Sequence, residues 1–128
     1  MPDNKATMLR IYNEVFSQGD FDQFARLSGD DNPIHTDPAF SARTHFGRTV
    51  AHGLLLCSVL RGLVDQLLPG SNIKEQSVMF PAPTFTDEPM RFSAKITQAE
   101  GALAELGLEV RRISDGEVTC QGSCGVAP

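Results

Sequence analysis

The sequence predicts an α+β fold in which one antiparallel sheet wraps around one long central helix. Two observations support this prediction. The segment 51–68 carries apolar residues around most of a helical circumference, so other elements should largely surround it. After this segment, the hydrophobic period changes from that of a helix to two, which indicates strands with one buried face. A curved antiparallel sheet packed on a buried helix satisfies both observations.

The first elements are predicted from local signals in the first 44 residues. β-branched and aromatic residues over 6–16 indicate a strand. Asp20 is predicted to cap a helix over 21–27, and Gly29 to end it. Asp37 followed by Pro38 predicts a further short helix that runs to about Thr44.

The second half of the chain predicts the central helix and about four strands. Pro69 and Gly70 end the helix. Residues 73–80 are strand-like, and alternating patterns follow over 90–97, 106–111 and 118–124. Cys120 and Cys124 would share one face of the last strand. No further Cys or His at ligand spacing completes a zinc site with them, so they are interpreted as small core residues.

Length, charge and cysteine content limit the classes of function. The 128 residues suit a single domain, residues 1–128, with one core. A net charge of −5 argues against nucleic acid as the main partner. The three cysteines and the polar N-terminus indicate reduced thiols and a cytoplasmic location. Arg61 and Asp65 interrupt the longest apolar segment, so no membrane span is expected.

The segment 28–35 reads S-G-D-D-N-P-I-H and combines acidic residues with a histidine. Asp30 and His35 are five residues apart, a spacing at which neither a helix nor a strand would bring them together. Asn32 and Pro33 predict a turn, and a turn would allow the acid and the base to converge on one water. The same residues also suit a polar helix exit with a partly buried histidine. Spacing alone favours this simpler interpretation.

Gly53 stands where the central helix is predicted to begin. The first amides of a helix lack internal acceptors, and the helix dipole favours negative charge there. A glycine allows a ligand to approach the backbone closely, so a thioester carbonyl placed there would be polarised. A tight helix start, with His52 as a capping or packing residue, explains the same residues. Taken alone, Gly53 favours the second explanation.

Together, the two segments resemble the signature of a known family. S-G-D-D-N-P-I-H-T-D-P at 28–38, followed by A-H-G at 51–53, resembles the MaoC-like hydratases, in particular the small single-domain (R)-specific enoyl-CoA hydratases. The resemblance extends over nearly the whole chain. It implies a hot-dog fold, a homodimer, and reversible syn hydration of trans-2-enoyl thioesters to (R)-3-hydroxyacyl thioesters. It implies no metal and no cofactor, because the coenzyme A or acyl-carrier thioester itself activates the substrate.

The resemblance also implies roles for individual residues. Asp30 and His35 match the catalytic acid–base pair, Asn32 a residue that supports the turn, and the Gly53 amide the group that meets the thioester oxygen. Asp31 occupies a variable position and receives no role. Close single-domain relatives carry an assisting serine two turns into the central helix, where this chain has Arg61, with Ser58 three residues earlier.

Two further expectations concern the substrate. Partial burial of Asp30 should raise its basicity, because a free aspartate is a weak base. The phosphates of coenzyme A or pantetheine would require local cations, and Lys74, Arg91 and Arg111 are the candidates.

Three alternatives stay open. One is a 3-hydroxyacyl-thioester dehydratase that acts on acyl-carrier-protein or specialised acyl substrates. The second is a hot-dog thioesterase, for which Asp65 is the only carboxylate within the central helix. The third is a non-catalytic subunit that binds acyl thioesters.

Overall fold

The computed structural model describes residues 8–127, which form five strands and four helices. In chain order these are β1 (Leu9–Val15), α1 (Gln18–Ser28), α2 (Pro33–Thr36), α3 (Pro38–Ser41), α4 (Gly53–Leu67), β2 (Asn72–Met79), β3 (Pro89–Glu100), β4 (Leu103–Arg112) and β5 (Val118–Ala127). The strands form one sheet in the order β1-β3-β4-β5-β2, with every neighbouring pair antiparallel. Within these residues, no helix is long and apolar enough to cross a membrane.

The core lies between the central helix and the concave face of the sheet. Leu56, Leu60, Leu63 and Val64 of α4 are buried. They belong to one cluster with residues from three strands, namely Met90, Phe92, Leu106, Leu108, Val110, Cys120 and Cys124. The prediction of an α+β hot-dog fold is therefore confirmed. The four strands predicted from the period-two patterns are also present.

The central helix is less enclosed than the sequence predicts. Leu54, Ser58, Gly62 and Asp65, which we call the uncovered stripe, recur at helical spacing and are exposed to solvent. Leu54, the second residue of the helix, is an apolar side chain that is 69% exposed. The prediction that protein surrounds the helix is therefore wrong for this stripe of the single chain.

The start of α1 also differs from the prediction. Ser17, rather than Asp20, is the N-cap, and its hydroxyl accepts a hydrogen bond from the Asp20 amide. The Asp20 carboxylate accepts one from the Ser17 amide at 2.9 Å, so the two residues form a capping box. Gly29 ends the helix in the left-handed conformation with φ of 79°, as predicted.

Three further elements differ from their predictions at the N-terminal end. β1 spans Leu9–Val15 instead of the predicted 6–16, and residues 6 and 7 lie outside the described part of the chain. Asp37 caps α3 as predicted, but that helix ends at Ser41 rather than near Thr44. The four-residue helix α2 was expected only as a turn.

All three cysteines are free thiols. Cys120 and Cys124 point into the core, as their spacing predicts. Burial raises the pKa of Cys120 to about 12 and also raises the pKa of Cys57 and of Cys124. The pairing of β4 with β5 shifts register beside Cys120, so that Thr119 is also buried and accepts a hydrogen bond from Thr84 at 2.9 Å.

Candidate active site

Asp30 lies in the short connection between α1 and α2, and Asn32 shapes this connection. The Asn32 side-chain oxygen accepts a hydrogen bond from the Ile34 amide at 3.1 Å and so caps α2. The Asn32 amide donates to the Asp30 carboxylate at 3.4 Å. Pro33 occupies the first helical position, where its missing N–H has no consequence. The turn predicted from Asn32 and Pro33 is therefore a capped helical turn that orients both Asp30 and His35.

Asp30 and His35 face each other across this turn. His35 Nε2 and Asp30 Oδ2 are 3.8 Å apart, which is too long for a direct hydrogen bond. Both atoms can reach a single water at about 2.8 Å. His35 Nδ1 lies 2.7 Å from the Val50 carbonyl oxygen, which only accepts. Nδ1 therefore carries the hydrogen, and in the neutral ring Nε2 directs a free lone pair towards Asp30.

The two side chains differ in exposure. The His35 side chain is 14% exposed, whereas the Asp30 side chain is 55% exposed. The partial burial expected of Asp30 is thus not provided by residues 8–127 of the single chain. A bound substrate or a second chain would have to supply it.

His52 completes the cluster, although the sequence suggested only a capping or packing role for it. Its side chain makes no capping hydrogen bond to α4. Its ring stacks on that of His35, with centroids 3.8 Å apart and planes inclined by 24°. His52 Nε2 donates to the backbone carbonyl of Asp30 at 2.9 Å. Burial, and to a lesser degree the neighbouring His35, lower the pKa of His52, so it stays neutral near pH 7.

Gln18 and Ser41 support the cluster from two other helices. The Gln18 amide nitrogen donates to the His35 carbonyl at 2.9 Å, and its oxygen accepts from the Thr49 hydroxyl at 2.6 Å. Ser41 is fully buried and donates to the Ile34 carbonyl at 3.1 Å. Sequence reasoning missed both residues, because these partners lie 7 to 31 positions away along the chain.

Gly53 is the first residue of α4, so its amide has no acceptor within the helix. It lines a cavity of about 390 Å³ together with mostly apolar residues, namely Phe46, Val50, Leu56, Phe80, Pro81 and Pro83. A Cβ added at Gly53 would lie 2.7 Å from the Phe80 ring. Val50 connects the two halves of the site, because it lines this cavity and its carbonyl also holds His35.

The other predicted residues lie outside this cluster. Asp31 lines a different surface groove with Asp22 and Arg26. Ser58 donates to the Leu54 carbonyl at 2.8 Å, and Arg61 pairs with Asp65 at 3.4 Å. Arg111 pairs with Glu109 at 2.9 Å, and Lys74 lines a separate cavity with Glu75, Glu100 and Glu105. Arg91 lies opposite Arg111 on the sheet. The structure therefore does not bring the proposed phosphate-binding cations to the cavity at Gly53.

The cluster of Asp30, His35 and His52 has the residue types of a metal site, and its ligand atoms lie within 4.8 Å of one another. Its geometry does not suit one. The two imidazoles are stacked, so their in-plane lone pairs run side by side instead of converging on one point. His52 Nε2 already donates to a carbonyl and offers no lone pair. The arrangement fits a water held between an acid and a base better than a metal ion.

Comparison with known proteins identifies the family and several relatives of the chain. A family model described as the MaoC like domain matches residues 4–115. An (R)-specific enoyl-CoA hydratase of Aeromonas caviae is 42% identical over 84 residues, which are 64% of this chain and 63% of that protein. A 3-hydroxybutyryl-CoA dehydratase of Methylorubrum extorquens is 31% identical over 125 residues, covering 96% of this chain and 73% of that protein.

A solved structure agrees with the sequence comparison. The (R)-hydratase from A. caviae involved in PHA biosynthesis superposes with a TM-score of 0.87, covering 93% of this chain and 92% of that one. The identity in this superposition is 32%, over a larger share of the chain than the sequence match.

Proposed function

The chain belongs to the MaoC-like domain family, and on this basis we propose that it is an (R)-specific enoyl-CoA hydratase that reversibly adds water to trans-2-enoyl-CoA. The observation that supports this most is the pairing of Asp30 with the free Nε2 of His35 at 3.8 Å. This spacing suits one water shared by an acid and a base. The similarity to the Aeromonas caviae hydratase supports the same reaction, although the sequence match spans 63% of that protein.

The proposed reaction begins with a water held between Asp30 Oδ2 and His35 Nε2. As the water oxygen attacks the β-carbon of the enoyl thioester, one member of the pair removes its proton. A proton is then returned to the α-carbon from the same face, which gives syn addition. The water supplies both the hydroxyl group and, in balance, the added hydrogen. The chemistry requires no metal and no redox cofactor.

Gly53 is proposed to stabilise the charge that develops on the thioester oxygen. Its amide lies at the positive end of the α4 dipole and has no acceptor within the helix. The adjoining apolar cavity of about 390 Å³ is suited to a short acyl group. Asn32 supports the reaction indirectly, because it holds the turn that carries both Asp30 and His35.

We further propose that the chain acts as a homodimer in the cytoplasm, with no nucleic-acid or membrane partner. Leu54, Met79 and Phe80 are 69%, 55% and 46% exposed in the single chain. Phe80 contacts the start of α4, and Met79 ends the edge strand β2. Exposed apolar side chains beside a free strand edge suit a self-complementary contact. A second copy there would also help to cover the open site.

A dehydratase acting in the reverse direction is the second candidate function. The same pair of side chains would serve, because hydration and dehydration pass through the same transition state. The dehydratase from Methylorubrum extorquens and a 3-hydroxyacyl-[acyl-carrier-protein] dehydratase from Arabidopsis thaliana, 32% identical over 71 residues, support this candidate. A thioesterase is less well supported, because Asp65 pairs with Arg61 on the uncovered stripe. A non-catalytic subunit would have no need for the oriented Asp30–His35 pair.

The test is the loss of enoyl absorbance with crotonyl-CoA and with longer trans-2-enoyl-CoAs. Wild-type protein should hydrate at least one of them. Asp30→Asn and His35→Ala should each lower kcat by about 10²- to 10⁴-fold, the usual contribution of acid–base catalysis. Asp31→Asn is the matched control, because the neighbouring carboxylate faces a different groove, and it should retain wild-type kcat.

Three results would contradict parts of this proposal. Release of free coenzyme A without hydration would contradict the hydratase function and support a thioesterase instead. Full activity in both Asp30→Asn and His35→Ala would overturn the site while leaving the reaction intact. A strong preference for an acyl-carrier-protein substrate, measured beside the coenzyme A ester, would favour the dehydratase.

A further inference from the structure

We propose that His52 is a positioning residue for the Asp30–His35 pair, holding the ring plane of His35 and the backbone of Asp30 so that both side chains meet one water. This inference rests on the proposed hydratase function. It adds a residue to which the sequence signature assigns no part in the reaction.

The contacts of His52 join both members of the pair. One face of its ring stacks on His35 with centroids 3.8 Å apart, and its Nε2–H donates to the Asp30 carbonyl at 2.9 Å. Phe24 of α1 meets the ring edge-on, with centroids 4.9 Å apart and planes at 61°. The residue is 2% exposed, so the ring is fixed on several sides. A displacement of His52 would therefore move the acid and the base together.

The cost of burying His52 argues against a packing role alone. His52 Nδ1 is buried and has no hydrogen-bond partner within residues 8–127. An unpaired buried nitrogen is destabilising, and an apolar ring of similar size would avoid that cost. A histidine at this position is explained if its N–H is needed to donate to the Asp30 carbonyl and its neutral ring is needed to stack on His35.

The surroundings of His52 also determine which imidazole receives a proton. The titratable groups that act on it are His35 of α2 and Asp30 of the adjacent turn, whereas Phe24 of α1 is uncharged. Burial keeps His52 neutral, and a second positive charge stacked on a protonated His35 would be repelled. A proton accepted by His35 would therefore stay on that ring instead of passing to His52.

Kinetics of three His52 variants and one control variant test this role. With crotonyl-CoA, His52→Ala should lower kcat by about 10²-fold, because a displacement of about 1 Å has that effect on positioned groups. KM should change by less than about twofold, since ground-state binding is unaffected. His52→Gln keeps a donor for the Asp30 carbonyl and His52→Phe keeps the stacked ring, so each should recover part of kcat. His45→Ala removes an exposed histidine and should match wild type.

A second measurement does not depend on activity. Long-range ¹H–¹⁵N NMR spectra of the wild-type imidazoles should show His35 protonated at Nδ1 and His52 at Nε2. In His52→Ala, the unsupported His35 ring should tilt away from the Val50 carbonyl that otherwise fixes its tautomer, so both tautomers should appear in exchange. A purely structural role for His52 would leave the His35 signals unchanged while lowering the melting temperature.

The possible failures are distinguishable. Wild-type protein without hydratase activity would overturn the proposed function, whereas the NMR tautomers would still test the arrangement of the rings. An active wild type with unchanged kcat in His52→Ala would overturn the positioning role. A fall in the kcat of His52→Ala that matches its loss of folded protein would also overturn this role. The same holds if His52→Gln and His52→Phe are no more active than His52→Ala.

Discussion

At the scale of single residues, one hydrogen bond decides which nitrogen of His35 is available for chemistry. The Val50 carbonyl at 2.7 Å fixes the hydrogen on Nδ1 and leaves Nε2 free towards Asp30. Asp30 and Asp31 are neighbours in the sequence, yet only Asp30 faces His35. The turn capped by Asn32 is responsible for this difference, since it directs successive side chains to different surfaces.

Gly53→Ala should reduce hydratase kcat by roughly 10²-fold, because a shifted thioester or helix start misplaces the reacting atoms by about 1 Å. The new methyl group would lie 2.7 Å from the Phe80 ring beside the cavity. Stability should change little, since the half-exposed Phe80 ring can move aside. Gly19→Ala is the control, because its added methyl group meets only an ordinary contact at 3.5 Å. Unchanged kcat with crotonyl-CoA in Gly53→Ala would remove Gly53 from the site.

The lowered pKa of His52 makes folding stability depend on pH. In the unfolded chain His52 has its ordinary pKa of about 6.5, whereas burial lowers the pKa in the folded protein. Below pH of about 6.5 the unfolded chain therefore binds more protons, so the free energy of unfolding should fall as pH decreases from 7 to 5. Urea unfolding at several pH values should show a shallower fall for His52→Gln than for wild type. An equal change in slope for His45→Gln would refute the assignment.

At the scale of secondary-structure elements, close contact between backbones determines where the outermost strand can lie. Gly122 of β5 pairs with Val78 of β2. A Cβ at this glycine would overlap the Ser77 carbonyl oxygen and lie 2.8 Å from the Val78 Cα. Because these are backbone atoms, a rotamer change cannot relieve the overlap, and β2 would have to separate from β5.

Gly122→Ala should therefore lower the free energy of unfolding by about 3 kcal/mol or more, at the upper end for overpacked sites. The matched control is Gly107→Ala on β4, where the added methyl group would meet only Thr97 at 3.5 Å. Urea denaturation compares the two variants with wild type. Equal stability of both variants would show that β2 approaches β5 less closely than described.

The elements that the sequence predicted are those whose own residues carry a repeated pattern. β3, β4 and β5 alternate because each has one face on the core, and α4 carries apolar residues around most of its circumference. Helix α2 has four residues, too few for a period. Its signal was present in Asn32 followed by Pro33, the same cap-and-proline pattern that predicted α3.

The site residues differ in the same way: a local sequence pattern indicates some of them, and only contacts in the folded chain reveal the others. Asp30, His35 and Gly53 stand within short segments whose residue order is itself informative. His52, Gln18 and Ser41 act through contacts that only the folded chain creates, such as the stacking of residues 35 and 52. The place of His52 beside Gly53, within the A-H-G segment at 51–53, was the signal available in the sequence.

At the scale of the whole molecule, the uncovered stripe could not be predicted. The sequence shows the same apolar Leu54 in both cases, so it does not tell whether the sheet of its own chain or another chain covers this side chain. Phe80 contacts the start of α4 beside Leu54, and the exposed Met79 ends the edge strand β2. These features support the proposed homodimer.

Leu54→Lys should convert the proposed dimer to a monomer, because a charged side chain would be buried without a partner. The secondary structure of the chain should not change, since Leu54 is 69% exposed within it. Light scattering after gel filtration gives the mass. Leu103→Lys is the matched control, because Leu103 is 62% exposed on β4, away from the stripe. A wild-type protein with the mass of one chain would refute the dimer.

The raised thiol pKa values have a consequence for the chemical reactivity of the folded protein. Alkylating and oxidising reagents attack the thiolate, and burial keeps Cys120 and Cys124 protonated and enclosed. Their modification at neutral pH therefore requires the sheet to open away from α4. Cys57 is only half-buried, so smaller fluctuations expose it. The order in which iodoacetamide labels the three thiols thus records how far the molecule opens, without any introduced probe.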